Sequence, residues 1–345
     1  MIPNNYQIVC AGSALIDTIG YSKSQINIGD DVTGTIKTSI GGVAFNICKQ
    51  LALSGLPNVE LLTAIGNDTN GHAILDLCGQ LGIITNNIYV CNNSETDSYL
   101  AIEDKKGLKA AIANVKNVEK FSERILKPLE NGVVKKNQGL DSDLIIIDGN
   151  LSPATLSKIA KNKNLNNCDL RIASASTSKA IRLKPFLRLS NATIYCNKTE
   201  AEKLCGLKFK NTKQASTYLL KKGLGRAIVT DGAKSICDSS IDYEPISILP
   251  PKVKSIGHVT GAGDYFLACH IINGINQLTK EDALKKAAES TSKYVETEIP
   301  SPLSRTVKVA VSPPISKSSI SGVSIIEVAS NALRNKFTTT CSKRN

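Results

Sequence analysis

The sequence VTGAGDYFLA, residues 259–268, joins a turn of small residues to an apolar stretch. Gly261, Ala262 and Gly263 leave backbone N–H groups accessible to an oxyanion, and the dipole of a following helix adds positive potential. Asp264 is adjacent to these groups, and its carboxylate would repel a phosphate if the turn only bound phosphate without reacting with it. We therefore interpret Asp264 as a base that deprotonates an attacking hydroxyl during phosphoryl transfer. An ordinary glycine turn with an N-cap aspartate is the alternative.

A second glycine-rich segment, GGVAFN at residues 41–46, precedes a helical pattern of apolar residues. In chain order, Asp17 comes before this segment and the sequence NKTE, residues 197–200, comes after it. Together with the turn at 259–264, this ordered set resembles the PfkB (ribokinase-like) family of sugar and nucleoside kinases. The resemblance extends over about residues 7–300.

Within that family, the chain is most similar to the pseudouridine kinases. The supporting stretches are GYS at 20–22, GGV at 41–43, TDSYL at 96–100, AI at 111–112 and VT at 259–260. The family resemblance implies an α/β fold, with a ribokinase-like three-layer α/β/α architecture, a mostly parallel central sheet and a small β-sheet lid. It also implies ATP as co-substrate and Mg²⁺ as cofactor, and it leaves the use of a monovalent cation such as K⁺ open.

Composition limits the class of protein. The 345 residues are 41% hydrophobic, enough for one large domain with a substantial core. The formal net charge of +12 is spread along the chain, and no basic block is interleaved with aromatic residues. This pattern disfavours nucleic-acid binding and favours a basic surface that attracts anionic nucleotides. The ten cysteines form no Cys-x-x-Cys pair, which indicates reduced thiols in a cytoplasmic protein. Without a transmembrane run or signal peptide, no membrane partner is expected.

Short apolar runs alternate with amphipathic helical patterns, which predicts βαβ units and a mostly parallel sheet. The strand candidates are residues 8–11, 59–65, 144–147, 170–173, 193–196 and 227–230. The helix candidates are residues 71–81, 153–161, 213–222 and 280–296.

Two β-rich segments, at about 18–40 and 96–115, interrupt this alternation. In the family, the matching segments form a lid over the sugar and often make dimer contacts, so the resemblance implies that a homodimer could form through the lid. After residue 300 the composition shifts to Ser, Lys, Thr and Pro. We therefore predict a kinase domain at 1–300 and a Ser/Lys-rich, partly disordered extension at 301–345, with a short helix near 323–333.

Four residues are predicted to surround a ribose. Asp17 follows the first strand, at the edge where open α/β sheets bind ligands, and its carboxylate can accept hydrogen bonds from vicinal hydroxyls. Gly41 and Gly42 would let the backbone approach a sugar, or act as a hinge between lid and core. Asn46 could offer its amide to another hydroxyl, or cap the helix.

The predicted nucleotide and metal contacts come later in the chain. Asn197 and Glu200 match the family's Asn-x-x-Glu motif, which implies that they orient Mg²⁺ and phosphates, largely through water. The same spacing is typical of a helix capping box. Thr230 and Gly232 resemble the family's nucleotide-binding loop, and the two glycines of the 259–264 turn complete the set.

Several positions depart from the family pattern. Relatives usually carry a second glycine where Lys234 and Ser235 stand, and many have Asp-Pro at the strand end that here contains Ala173. Leu15 and Ala113 replace Asn residues of the pseudouridine kinases, so recognition of the base could differ.

The resemblance and the residues together predict an enzyme that phosphorylates the 5′-hydroxyl of pseudouridine with ATP. Thr96 and Ser98, on the predicted lid, would contact the base or the ribose. The alternatives are another PfkB sugar or nucleoside kinase, or a catalytically inactive PfkB-like binding protein. The altered residues Ala173 and Ser235 motivate the last alternative, and the intact Gly-Ala-Gly-Asp turn argues against it.

Overall fold

Strands and helices alternate through most of the chain. The computed structural model describes residues 6–130, 144–165, 167–257 and 259–297. Within these ranges the strands are β1 Ile8–Ala11, β2 Leu15–Ser22, β3 Thr35–Gly41, β4 Val59–Leu62, β5 Ala64–Gly66, β6 Tyr89–Cys91, β7 Ser98–Asp104, β8 Gly107–Asn114, β9 Leu144–Asp148, β10 Asp169–Ala173, β11 Ala192–Asn197, β12 Arg226–Thr230, β13 Ile236–Ser240 and β14 Ile246–Ile248.

The α-helices of the same ranges include all four helices predicted from the sequence. They are α1 Val43–Leu53, α2 Thr69–Gln80, α3 Lys116–Lys120, α4 Ser122–Glu130, α5 Pro153–Ala160, α6 Lys198–Cys205, α7 Thr212–Lys221, α8 Ala262–Ile275 and α9 Lys280–Glu296. None of the helices in the described part of the chain is long and apolar enough to cross a membrane. The predicted extension at 301–345, with its short helix, lies outside the described residues.

Eight strands form the central sheet, in the order β14-β13-β12-β11-β10-β9-β1-β4. The strands from β12 to β4 in this order are parallel, and β13 and β14 add antiparallel to them. Each of the six apolar runs predicted from the sequence contributes a strand to the parallel part. The carboxyl ends of these strands therefore meet at one edge of the sheet.

Two apolar cores cover the two faces of the central sheet, because successive residues of a buried strand point to opposite sides. From β1, Ile8 and Cys10 pack into one core with residues of α1, α2, α8 and α9. Val9 and Ala11 pack into the other core with residues of α4, α5, α6 and α7. The predicted three-layer α/β/α architecture is therefore confirmed.

A second sheet, in the order β3-β2-β7-β8, forms the lid from the two predicted segments. Its register aligns Asp17, Tyr99 and Ala113 in one cross-strand row. Along β7, residues of this face are buried or half-buried, whereas the intervening residues Leu100 and Ile102 are exposed. The lid thus has an inner face toward the core and an apolar outer face.

The predicted strand at 59–65 is two strands, which corrects the sequence-based expectation. β4 ends at Leu62, and β5 pairs instead with β6 in a separate two-stranded sheet. β4 ends at the point where its strand neighbour β1 ends, since Leu62 lies opposite Ala11. On its other side, the described residues add only an isolated bridge from Glu60 to Ile84.

Candidate active site

A cleft of about 920 Å³ lies between the inner face of the lid and the carboxyl edge of the central sheet. Ligands of open α/β sheets bind at this edge. Nine residues predicted from the sequence line the cleft: Asp17, Gly42, Asn46, Asn197, Glu200, Thr230, Gly261, Gly263 and Asp264. The fold therefore brings together residues that are up to about 250 positions apart in the chain, and their roles remain predictions.

The anion turn, residues 259–264, leads into α8. Gly261 is the N-cap of the helix, with a left-handed φ of 80°. The Ala262 N–H donates to the Val259 carbonyl, so Ala262 does not offer the predicted contact to a phosphate. The N–H groups of Gly263 and Asp264 lie in the first helical turn, where the helix has no acceptor for them. These two amides can donate to an anion, and the predicted contact from the N–H of Gly261, the N-cap of α8, stays a prediction.

Asp264 lies at the floor of the cleft, in the first turn of α8. The Asn46 amide donates a hydrogen bond of 2.9 Å to its carboxylate. Burial raises the pKa of Asp264 to about 8, the bond from Asn46 opposes this rise, and the carboxylates of Asp148, Asp17 and Glu200 add to it. A carboxyl group with this pKa is suited to take up a proton near neutral pH.

Asp17, on β2, is buried against Gly41, and the adjacent Gly42 packs against Ser13. A Cβ on Gly41 would lie 1.9 Å from an Asp17 carboxylate oxygen, and a Cβ on Gly42 would lie 2.6 Å from the Ser13 carbonyl oxygen. Gly41 does not line the cleft. Its contact with Asp17 inside the protein already requires a residue without a side chain. Burial raises the pKa of Asp17 to about 7.

Asn197 and Glu200 form a capping box at the start of α6, as the structural alternative predicted. The Glu200 N–H donates to Asn197 Oδ1 at 2.9 Å, and the Glu200 carboxylate accepts from the Asn197 N–H at 2.8 Å and from the Ser174 hydroxyl at 2.5 Å. Burial raises the pKa of Glu200, and the two bonds it accepts oppose that rise. Both residues still line the cleft, so capping and ligand contact are compatible.

The acidic groups of the cleft are suited to a metal ion that is bound mainly by the phosphates of ATP. Among the described residues, no group of three or more His, Cys, Asp or Glu side chains could hold a metal directly. Glu200 nevertheless lines the cleft, and its charge is among the contributions that raise the pKa of Asp264. Mg²⁺ keeps several waters and needs few carboxylates when phosphates supply the other ligands.

Besides Gly41 and Ala262, three more predicted site residues do not line the cleft. The Thr96 hydroxyl donates to the Asp68 carboxylate at 2.6 Å, so Thr96 helps to fix the N-terminus of α2. Ser98 belongs to the outer face of the lid, because its neighbour Tyr99 lines the cleft and side chains alternate along a strand. Gly232 follows β12 with a φ of 57° and does not reach the cleft lining.

A polar network that the sequence did not reveal also lines the cleft. The Lys179 ammonium donates to the Asn150 amide oxygen at 2.6 Å, and the Asn150 amide donates to the Ser13 hydroxyl at 3.1 Å and to Asp148 at 3.2 Å. Asn150 closely follows β9, so its place after a parallel strand was a usable signal. Lys179 lies outside the strands and had no such signal. Burial lowers its pKa.

The departures from the family pattern also lie in this cleft. Leu15, Ala113 and Ala173 all contribute to its lining, as apolar side chains. Ser174 follows Ala173 and supports Glu200 through its hydroxyl. The altered strand end therefore retains a polar contact to the Asn-x-x-Glu segment.

Comparisons with known proteins agree with this geometry. The sequence profile of the pfkB family of carbohydrate kinases matches residues 5–302. The pseudouridine kinase of Escherichia coli (strain K12) is 28% identical over 264 residues, which cover 76% of this chain and 81% of that protein. The ribokinase of Arabidopsis thaliana, solved with ribose and ATP, has a TM-score of 0.65 at 19% identity, covering 85% of this chain and 93% of that one. The adenosine kinase of Schistosoma mansoni, solved with 2-fluoroadenosine, has a TM-score of 0.69 at 17% identity, covering 86% and 97%.

The lidded α/β/α fold, with a carboxylate beside a helix N-terminus in its cleft, is that of a ribokinase-like protein. The profile match over residues 5–302 makes the class specific. The chain belongs to the pfkB family of carbohydrate kinases, which confirms the resemblance drawn from the sequence.

Proposed function

We propose that the protein transfers the γ-phosphoryl group of ATP to the 5′-hydroxyl of pseudouridine. The observation that carries this proposal is the placement of Asp264, Asn46 and Asp17 in one cleft with the anion turn. The 28% identity to the E. coli pseudouridine kinase supports the choice of nucleoside, together with the stretches 96–100 and 259–260.

The site residues divide the work of the reaction. Asp17 accepts hydrogen bonds from the ribose hydroxyls and so points the 5′-hydroxyl toward Asp264. The Asp264 carboxylate, held by Asn46, takes the proton as the 5′-oxygen attacks the γ-phosphorus and ADP leaves. The N–H groups of Gly263 and Asp264 donate to the transferred phosphoryl oxygens.

Electrostatics support a requirement for Mg²⁺. Asp17, Asp148 and Glu200 raise the pKa of Asp264 by their negative charge, and Lys179 is the one cationic side chain among the described residues that line the cleft. ATP adds further negative charge, so a divalent cation is needed to offset repulsion. We propose that Glu200 holds Mg²⁺ through water, with Asn197 beside the phosphates; Mg²⁺ would neutralise charge on the phosphoryl oxygens.

We place the base between Lys179 and the lid residues Leu15 and Ala113, which line the same cleft. Lys179 has N–H donors beyond the one that Asn150 accepts, and the carbonyl oxygens of a uracil ring are suitable acceptors. Leu15 and Ala113 are apolar there, whereas the pseudouridine kinases carry Asn. This observation favours a second candidate function, a related nucleoside or sugar kinase with a different base preference.

A substrate panel tests the choice of nucleoside. We expect kcat/KM for pseudouridine to exceed that for uridine, ribose and adenosine by about tenfold or more, because a site that hydrogen-bonds one edge of a base rejects analogues that lack it. The measurement is the initial rate for all four compounds at the same ATP and Mg²⁺ concentrations, with and without K⁺ to test the open expectation of a monovalent cation.

The panel also separates the alternatives. A higher value for ribose or adenosine would overturn the substrate assignment and leave the kinase assignment standing. Absence of phosphorylation for every compound would favour the inactive binding protein.

The pH dependence of the rate follows from the raised pKa values in the cleft. Asp264 must be unprotonated to act as a base, and burial raises its pKa to about 8, with that of Asp17 at about 7. We therefore expect kcat/KM for the nucleoside to rise with pH and to reach half its maximum between about pH 7 and pH 8. Rates at saturating ATP and Mg²⁺ between about pH 6 and pH 9 provide the measurement. A flat profile over that range would contradict a base with a raised pKa.

We also propose a homodimer that forms through the outer face of the lid. Ile36 and Ile102 flank Gly20 in one cross-strand row, and Leu100 and Ile112 are paired in the next row, so all four share this face. Their exposed fractions are 79%, 41%, 45% and 70% in that order. A contiguous apolar patch of this kind marks an interaction surface.

Light scattering after gel filtration tests the dimer. We expect a dimer for the wild type and a monomer for Ile112→Asp, because a buried charge at the interface is costly. Ile241→Asp is the matched control, since Ile241 is also exposed, at 60%, but lies outside the lid. A monomeric wild type would refute the proposed dimer.

The thiols support a reducing compartment. Every cysteine in the described part of the chain is free. We therefore propose that the enzyme acts in the cytoplasm on small molecules, a nucleoside and ATP, and has no nucleic-acid or membrane partner.

A further inference from the structure

Glu103 is a lid residue whose carboxylate contacts the anion turn. It lies on β7 with 1% of its surface exposed, and its carboxylate accepts a hydrogen bond of 2.5 Å from the Thr260 hydroxyl. The two residues are 157 positions apart in the chain. Thr260 directly precedes Gly261, the N-cap of α8. A hydrogen bond therefore joins the lid to Thr260, the residue that precedes the left-handed Gly261.

Tyr294, on α9, holds the same residue from the other side. Its hydroxyl donates to the Thr260 carbonyl at 3.0 Å, and its ring stacks on that of Tyr265 with centroids 4.6 Å apart. A Cβ on Gly261 would lie 2.9 Å from the Tyr294 hydroxyl, so the turn packs closely against it. Thr260 is thus fixed by two lid side chains, Glu103 and Tyr99, and by Tyr294 from the core.

Asp104, the neighbouring buried acid of the lid, makes no such contact with the anion turn among the described residues. Asp104, also on β7 and buried, accepts from the N–H groups of Ile26 and Lys106 and pairs with Lys109 at 3.1 Å. All of these partners belong to the lid or its connections. Asp104 therefore stabilises the lid itself, whereas Glu103 joins the lid to the anion turn.

We propose that Glu103 is a positioning residue that couples closure of the lid to the geometry of the anion turn. When the lid covers a bound nucleoside, the bond to Thr260 fixes that residue and, through it, the N–H groups of Gly263 and Asp264. When the lid opens, the bond breaks and the turn loses this support. Closure thereby completes the site for phosphoryl transfer only when an acceptor is present.

The kinetic consequence rests on the proposed function, whereas the contact can be tested without it. Two variants remove the bond: Thr260→Val deletes the donor, and the double variant Thr260→Val with Glu103→Leu also removes the unpaired carboxylate, which preserves folding if the single variant is unstable. Two conservative variants keep it: Thr260→Ser retains a hydroxyl, and Glu103→Gln retains an acceptor. Asp104→Asn is the control for a change confined to the lid.

We expect Thr260→Val and the double variant to lower kcat about tenfold to a hundredfold, the effect of losing a hydrogen bond to a charged group, with KM for the nucleoside changed less than about threefold. Thr260→Ser, Glu103→Gln and Asp104→Asn should keep kcat within about threefold. Wild-type kcat in the double variant, or equal losses in Thr260→Ser and Thr260→Val, would overturn the proposal.

Hydrogen exchange separates this proposal from the proposed function. Amides of residues 259–265 should exchange about tenfold faster in the double variant than in the wild type, and at the wild-type rate in Asp104→Asn. Unchanged exchange in the double variant would overturn the coupling whatever the substrate is. A wild type that phosphorylates no nucleoside would instead refute the proposed function, and the exchange rates would still decide the coupling.

Discussion

Replacement of Asp264 by Asn is expected to lower kcat by about 10²–10⁴ while the affinity for ATP changes little. The variant keeps the shape of the side chain, and its amide oxygen can still accept the hydrogen bond that Asn46 donates to the wild-type carboxylate. It loses only the ability to take the proton of the attacking hydroxyl. Steady-state kinetics with the preferred nucleoside and a direct ATP-binding measurement test both parts.

The control is Asp76→Asn, which removes an exposed carboxylate from α2 and should leave kcat unchanged. Turnover at the wild-type rate in Asp264→Asn would show that Asp264 is not the base. A loss of ATP binding equal to the loss of kcat would point to a damaged site rather than a missing base.

Asp264→Asn should lower activity but raise the free energy of unfolding. Burial raises the pKa of Asp264 from its ordinary value of 3.8 to about 8, so the folded protein retains a proton that the unfolded chain releases. The proton on Asp264 therefore stabilises the wild type at low pH, and this contribution is lost as pH rises from about 4 to about 8; Asp264→Asn lacks this pH-dependent contribution. Near pH 8 we expect the ligand-free variant to be more stable by roughly 1–3 kcal/mol, less than the full shift because water enters the open cleft, and this difference should vanish near pH 4. Urea unfolding near both pH values measures the difference and excludes misfolding as the cause of low activity.

The strands of the central sheet could be predicted because each one is a local signal. A buried parallel strand is a continuous apolar run, as in IVCA at Ile8–Ala11 and LIII within Leu144–Asp148. Asn197 could be placed for the same reason, since it ends the apolar strand β11 at the ligand-binding edge, whereas Asp17 lies within β2 of the lid. The split of the predicted strand at 59–65 was not a local signal, because it depends on where the neighbouring β1 ends.

The differences between the predicted and the observed positions of site residues arise from geometry that no local pattern specifies. Ser98 and Tyr99 differ by one position, and this difference decides which face of the lid a side chain occupies. Ala262 was predicted to bind phosphate, but the turn closes on the Val259 carbonyl before the helix begins. The bond between Glu103 and Thr260 joins residues 157 positions apart, and only the docking of the lid brings them together.

Replacement of Gly263 by Val is the second change with a large expected effect. Gly263 lines the cleft in the first turn of α8, its φ is not in the positive range, and a Cβ built on it meets no atom within 4 Å. A side chain would therefore strain the backbone at Gly261, whose φ is positive, but not at Gly263. Valine should fold without difficulty and place its branched carbons where the phosphoryl oxygens approach the free N–H groups, so we expect kcat/KM for ATP to fall on the order of 10²–10³, as for loss of an oxyanion donor.

Gly274→Val provides a matched control for this prediction. Gly274 also lies in α8, and a Cβ built on it likewise meets no atom within 4 Å, but it is three turns away from the anion turn. Both substitutions replace glycine by a better helix former, so both variants should unfold at or slightly above the wild-type temperature. Only Gly263→Val should lose activity. If the two variants were equally active and equally stable, the first turn of α8 would not be the place where the protein binds the transferred phosphoryl group.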